Sequence, residues 1–148
     1  MLELIGTCIP PGVAPDTVEV VIQHESTGNP YAVNVNGEVG KSIYFTLPKD
    51  AITYVEHHIA LGRSVDMGLM QVNSMHLNRF KASVADMFDV CKNIRFGTQI
   101  LIDCYRLASR RFDHKRRALA AALSCYNTGR LTGDRGRKYV RKLLRSLK

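Results

Sequence analysis

Residues 18–30, VEVVIQHESTGNP, set the reading of the whole chain. Val18, Val21, Ile22 and Glu25 stand at offsets 0, 3, 4 and 7, which places them on one face of a helix. Asp16 is the expected N-cap, and Gly28-Asn29-Pro30 stops the helix, so it covers roughly 16–26. Glu25 then occupies the last turn and points where the core points. A charged carboxylate avoids such a place unless it is paired or used. Burial disfavours the charged form of a carboxyl, and a glutamate kept protonated near neutral pH is a general acid. Ser26 is placed to hydrogen-bond that carboxyl. The plainer reading is a glutamate at the rim of the core, reaching solvent.

Outward from this helix, residues 1–14 read as an extended lead-in, because Pro10, Pro11 and Pro15 block helix. Residues 31–45, YAVNVNGEVGKSIYF, alternate apolar and polar around Asn36-Gly37, a hairpin signal. A second helix is predicted over 49–61, with Ile52, Val55 and Ile59 on one face and Gly62 as its stop. Residues 63–80, RSVDMGLMQVNSMHLNRF, have no clean period and read as a loop leading into a short helical turn. A third helix begins after Asp89, with Ile94, Gly97, Leu101, Cys104, Tyr105 and Ala108 inward. A fourth covers about 114–126, with Ala118, Ala121, Ala122, Cys125 and Tyr126 inward and Gly129 as its C′ residue. A last basic helix carries Val140, Leu143, Leu144 and Leu147 on its apolar side. The expected fold is mostly α (α+β): one helical domain over residues 1–148, with a small β-hairpin between its first two helices.

A chain of 148 residues has room for a real core. Its apolar runs are too short to span a bilayer. The opening, MLELIGTCIP, lacks a basic n-region and a full apolar stretch, so it does not read as a signal peptide; either the protein stays inside or a signal has been removed. Charge is unevenly placed. Fourteen of the 21 Lys and Arg lie between Arg106 and Lys148, opposed by Asp113 and Asp134 alone. That segment carries +12 and residues 1–105 carry −4. Such a surface favours a polyanion: nucleic acid, an anionic membrane surface or an anionic cell-wall polymer. The plainer reading is a solvated basic helix. Cys8, Cys91, Cys104 and Cys125 contain no CxxC pair, so a zinc ribbon is not indicated, and four cysteines allow three pairings. The five histidines show no ligand spacing, and no metal or cofactor is called for.

Two further stretches carry chemistry. In DMGLMQVN, residues 66–73, a glycine, apolar residues and the carboxamides of Gln71 and Asn73 suit a groove wall for sugar hydroxyls and acetamido groups. The alternative is a structured loop packing Leu69, Met70 and Val72 into the core. In LSCYNTGR, residues 123–130, Tyr126 ends the inward face of a helix with Asn127 beside it, and its hydroxyl can reach a carboxyl across a cleft.

In this order, HES…GNPYAVN, GLMQVN and ALSCYNTG resemble the catalytic domain of lytic transglycosylases, of the lysozyme-like superfamily. DMGLMQVN, CKNIRFGTQIL, LSCYNTGR and the late YVRKL look like the branch found with type IV secretion and conjugation systems. The resemblance runs from about Cys8 to Leu143 and is carried by the set of motifs rather than by any one. It implies that Glu25 is the catalytic glutamate and that Ser26 is the serine following it. It implies that Gly68, Leu69, Met70, Gln71 and Asn73 form the glycan groove, and that Tyr126 and Asn127 form the motif whose tyrosine lies close to the glutamate. The family often has serine or alanine before the glycine, where this chain has Val65-Asp66-Met67. Asp66 invites the idea of a second carboxylate, but an aspartate there looks common in the secretion-associated branch.

The implied activity is cleavage of the bond between N-acetylmuramic acid and N-acetylglucosamine in peptidoglycan, leaving a 1,6-anhydro end. The implied partners are glycan strands and secretion-system components, with the basic C-terminal segment steering the enzyme to the anionic wall or membrane. The implied location is the periplasm. Disulfides persist there, and the hypothesised pairs are Cys104–Cys125 and Cys8–Cys91. Competing readings are a lysozyme that hydrolyses the same bond, and a non-catalytic module binding peptidoglycan or nucleic acid. Against the last stand the lack of a recognition-helix motif and a low aromatic content.

Overall fold

The computed structural model describes residues 2–37 and 41–147. The chain is mostly α, with a small four-stranded antiparallel sheet. It forms two compact units. The first takes Met1–Pro10 and Val21–Gly97, and the second takes Pro11–Val20 and Thr98–Lys148.

In the first unit, the expected extended lead-in is instead a short helix, α1, Leu2–Cys8. Its sequence, LELIGTC, holds no proline, and Pro10 and Pro11 fall beyond its end, where they block nothing. Helix α2, Pro15–Ser26, begins in the second unit and ends in the first, and it starts one residue earlier than expected. Proline is tolerated at N1 because that N–H has no helical partner anyway. Asp16 therefore lies inside the first turn rather than capping it, where its charge still suits the helix dipole. Val18, Val21 and Ile22 are buried and Glu25 is half-buried.

The expected hairpin is present: β1, Ala32–Val35, pairs antiparallel with β2, Ser42–Tyr44. Part of its connection, residues 38–40, lies outside the described residues. The sheet also contains β3, Val65–Met67, and β4, Val72–Asn73, inside the segment read as a loop. Strands of three and two residues are too short to show a period. The expected short helical turn follows, as a 3-10 turn at Ser74–His76 and α4, Leu77–Phe80. The strand order β2-β1-β3-β4 aligns residues into two rows. Val33, Met67 and Val72 are register partners and are buried. Ser42, Asn34, Asp66 and Asn73 form the polar row of the other face.

Helix α3, Pro48–Ala60, buries Ala51, Val55 and His58. Ile52 and Ile59, expected inward, are half-buried beside that stripe. The chain leaves α3 through Gly62, whose φ of +80° suits glycine. Arg63 Nη1 donates to His58 Nδ1 at 2.8 Å, and the Tyr54 ring centroid lies 4.4 Å from that of His58. Burial, then the Arg63 cation, then His57 hold the His58 pKa below its ordinary 6.5.

Helix α5, Val90–Arg111, ends in the second unit with α6, Lys115–Thr128, and α7, Asp134–Ser146. Ile94, Gly97, Leu101, Cys104 and Ala108 of α5 are buried as expected, whereas Tyr105 is 37% exposed. Ala118, Ala121 and Ala122 of α6 are buried, and Gly136 of α7 lies so close to Ser124 that a Cβ would collide with its side chain. Small residues thus let the two helices approach. Gly129 ends α6 in the left-handed region, at φ +77°, and donates to the Cys125 carbonyl. On α7, Tyr139, Val140 and Leu143 are buried. Leu144 is exposed and Leu147 lies past the helix, so the apolar side is shifted by a residue from the expected one.

Both hypothesised disulfides are present. Cys8–Cys91 closes within the first unit and Cys104–Cys125 ties α5 to α6 in the second, with Cα separations of 5.0 and 5.7 Å. Sequence separations of 83 and 21 residues correspond to roughly 4.5 and 3.3 kcal/mol in the chain-entropy account.

The lowered pKa of His58 predicts a pH dependence of stability. As pH falls below 6.5 the unfolded chain takes up the proton first, so the contribution is complete above that value and is lost on acidification. The melting midpoint should fall between pH 7.5 and 5.5, and His58→Gln should flatten that fall. An unchanged slope in the variant would show that other groups carry it.

Candidate active site

Glu25 stands in the last turn of α2, half-buried, immediately before the helix stops. The stop is built from local hydrogen bonds. Thr27 N–H donates to the Gln23 carbonyl, Thr27 takes φ +52° and Gly28 φ +80°. Asn29 Oδ1 then accepts from Tyr31 N–H at 2.8 Å and turns the chain into β1. Ser26 is fully buried and donates its hydroxyl to the Ile22 carbonyl at 3.1 Å. Its one proton is spent on its own helix, so it does not donate to the Glu25 carboxyl.

Six residues after Ser26, the Ala32 carbonyl accepts from Gly68 N–H at 2.9 Å and from Gln71 Nε2 at 3.0 Å. The end of the glutamate helix and the GLMQ segment are thereby joined through β1. Gly68–Gln71 is the turn between β3 and β4, whose flanking residues Met67 and Val72 are paired. Gly68 has φ +77°, and a Cβ on it would run into the Asn93 side chain and the Met87 carbonyl. Gln71 has φ +51° and donates Nε2 to the Gly68 carbonyl as well, at 3.0 Å. Both of its amide protons hold the turn, so a sugar hydroxyl cannot count on them as donors.

Leu69 and Met70 are buried. Their side chains pack into the core, as in the alternative reading of this stretch. The reason is Asn93, 1% exposed, on the first turn of α5. Its Oδ1 accepts from Met70 N–H at 2.8 Å, and its Nδ2 donates to the carbonyls of Met67 and Met87 at 2.9 and 2.8 Å. One turn later Gly97 leaves the space that the Met70 side chain fills. Neither residue was singled out for this site from the sequence, although both lie in the CKNIRFG stretch. The sequence shows only an asparagine four residues before Gly97, which does not by itself point to the GLMQ turn.

Asn73 donates Nδ2 to Asp66 Oδ1 at 2.8 Å and accepts from Met75 N–H at 2.9 Å. Asp66 Oδ2 accepts from Asn34 and Asn36, at 3.3 and 3.2 Å. Three carboxamides, two from β1 and the residue just past it and one from β4, therefore converge on Asp66, which acts as a cross-link of the polar sheet face. Tyr126 and Asn127 belong to the second unit, in the last turn of α6, half-buried and exposed respectively.

A mostly helical chain with a small antiparallel sheet, and a glutamate at the end of the helix that feeds it, has the lysozyme-like fold. The model of the transglycosylase SLT domain matches residues 10–147, and the chain belongs to that family. It is 38% identical over 152 residues to "Type IV secretion system protein virB1" of Brucella abortus biovar 1 (strain 9-941), covering 98% of this chain and 63% of that one. The same figures hold for the protein of that name from Brucella suis biovar 1 (strain 1330). "Protein virB1" of Rhizobium radiobacter is 29% identical over 133 residues, 90% of this chain and 55% of that one. The chain thus spans less than two thirds of the length of these relatives. No solved structure matches it.

Asn93→Ala should destabilise the fold by roughly 3 kcal/mol or more, because it strips partners from one buried N–H and two buried carbonyls. Chemical denaturation reads this directly. A loss under about 1 kcal/mol would mean that water or another side chain already serves those groups.

Proposed function

We propose that the chain is the catalytic domain of a peptidoglycan lytic transglycosylase, with Glu25 as its acid and base. The observation that carries the reading is the place of Glu25: a half-buried carboxyl in the last helical turn, inside the region matched by the SLT domain. A retaining glycosidase ordinarily uses two carboxylates, whereas a substrate-assisted one needs a single carboxyl and a neighbouring group of the sugar. The engagement of Asp66 with three carboxamides favours the second arrangement.

In this mechanism protonated Glu25 gives its proton to the oxygen of the β-1,4 bond between N-acetylmuramic acid and N-acetylglucosamine. The C1–O bond breaks, and the acetamido oxygen of the muramic residue stabilises the positive charge at C1. Glu25, now a carboxylate, takes the proton of the C6 hydroxyl, and that oxygen closes on C1. The products are a free 4-hydroxyl and a 1,6-anhydro end, with no water consumed. Gly68 and Gln71 shape the glycan groove through the backbone they hold. The resemblance gives Ser26, Tyr126 and Asn127 supporting roles. The names of the relatives favour local opening of the wall, in the periplasm, for a secretion apparatus.

Replacing Glu25 by Gln removes the transferable proton and keeps the shape. Clearing of a peptidoglycan suspension should fall by about 10²–10⁴-fold, with the melting midpoint unchanged. A purified, folded Glu25→Gln variant that clears the suspension at the wild-type rate would end the assignment.

A further inference from the structure

The second unit carries a trough of about 590 Å³, lined by the Pro11–Ala14 loop, Thr17, α5 and α6. Pro11, Val13, Leu101, Ile102, Tyr105 and Leu119 give it apolar walls. Arg106, Lys115 and Arg116 also line it, and all three are exposed. We propose that this trough docks an acidic amphipathic segment of another protein. Its apolar residues sit in the trough and its carboxylates meet the three cations. The inference is independent of the catalytic reading.

Three observations lead to it. Tyr105 lies on the spacing of the buried face of α5 yet is 37% exposed, because it faces the trough instead of the core. The apolar stripe of α5 is therefore wider than the packing of this unit uses. Second, two walls of the trough are tied covalently, and it has the length of a helical anchor set. Cys104–Cys125 fixes α5 to α6. The wall from Lys115 to Ala122 spans two helical turns, roughly 10 Å, which accommodates apolar anchors at i, i+3 or i+4, and i+7.

Third, the charges are placed against the interest of the helix that bears them. The first turn of α6 holds Lys115, Arg116 and Arg117 and no acid. Cations there oppose the helix dipole, at about 0.3–1 kcal/mol each. Among the described residues no acidic side chain pairs with Lys115 or Arg116, and Arg106 is 3.9 Å from Asp103 on an exposed surface. Helix stability gives no reason for these cations, whereas an acidic occupant does.

A membrane surface suits the trough less well. A flat bilayer does not fill a concave site. The apolar side of the basic helix α7, Tyr139, Val140 and Leu143, is already buried and cannot lie in lipid.

The test uses a fluorescein-labelled 16-residue peptide with Leu and Phe at helical spacing and Glu and Asp elsewhere. Anisotropy is read at physiological salt, with phosphatidylglycerol vesicles in parallel. Saturable binding is expected, weakened about tenfold or more by the double variant Lys115→Glu/Arg116→Glu and by Tyr105→Ser. A peptide with serine at the anchor positions should lose binding equally. The double variant should melt no lower than wild type, since carboxylates suit the start of α6, so lost binding is not unfolding. The proposal is overturned if the peptide does not bind, if the serine peptide binds as tightly, or if binding ignores the variants. It is also overturned if only the vesicles bind and the double variant abolishes that.

Discussion

The turn at Gly68–Gln71 is buried, and a buried turn must find partners for its own peptide groups. This constraint organises the first unit. Asn93 supplies three hydrogen bonds, to Met67, Met70 and Met87. The Ala32 carbonyl supplies an acceptor for Gly68 and Gln71, and Gln71 closes the turn on itself. Those few contacts join the start of α5, strands β1, β3 and β4, and the end of the helix that carries Glu25. Cys8–Cys91 adds a covalent tie two residues from Asn93. A glutamate at a helix end is ordinarily a rim residue. Here the backbone just beyond it is fixed to a buried turn, as the acid role proposed for Glu25 requires.

Helices were legible wherever the apolar period was long. The spacing around Val18–Glu25 and Ile94–Ala108 predicted α2 and α5 closely, and Gly129 marked the end of α6. Strands β3 and β4 were not legible, because two or three residues cannot display an alternation. Helix α1 was missed because the prolines that seemed to forbid it lie just after it. Among the site residues, the motif located the GLMQ turn but not the direction of its side chains. Leu69 and Met70 point inward because Asn93 and Gly97, more than twenty residues later, receive them. Such a long-range hydrogen bond leaves no trace in local composition. The cysteine count alone allows three arrangements; the location that the resemblance implies favours oxidation, and the inward faces of Cys104 and Cys125 on successive helices favour the arrangement found.

Charge separates the two units more sharply than secondary structure does. The basic residues past Arg106 crowd α6 and α7, and they do so even at the start of α6, where a helix prefers acids. The acidic and carboxamide side chains that meet in the polar sheet row belong to the first unit.

The central claim is that one carboxyl, Glu25, moves a proton out to the leaving oxygen and takes another from the sugar's own C6 hydroxyl. Mass spectrometry of muropeptides released from purified peptidoglycan tests this most directly. Products one water lighter than reducing muropeptides are expected, with no oxygen taken from labelled water. Reducing ends carrying the labelled oxygen would contradict it, because they would show that water, and not the C6 hydroxyl, attacks C1.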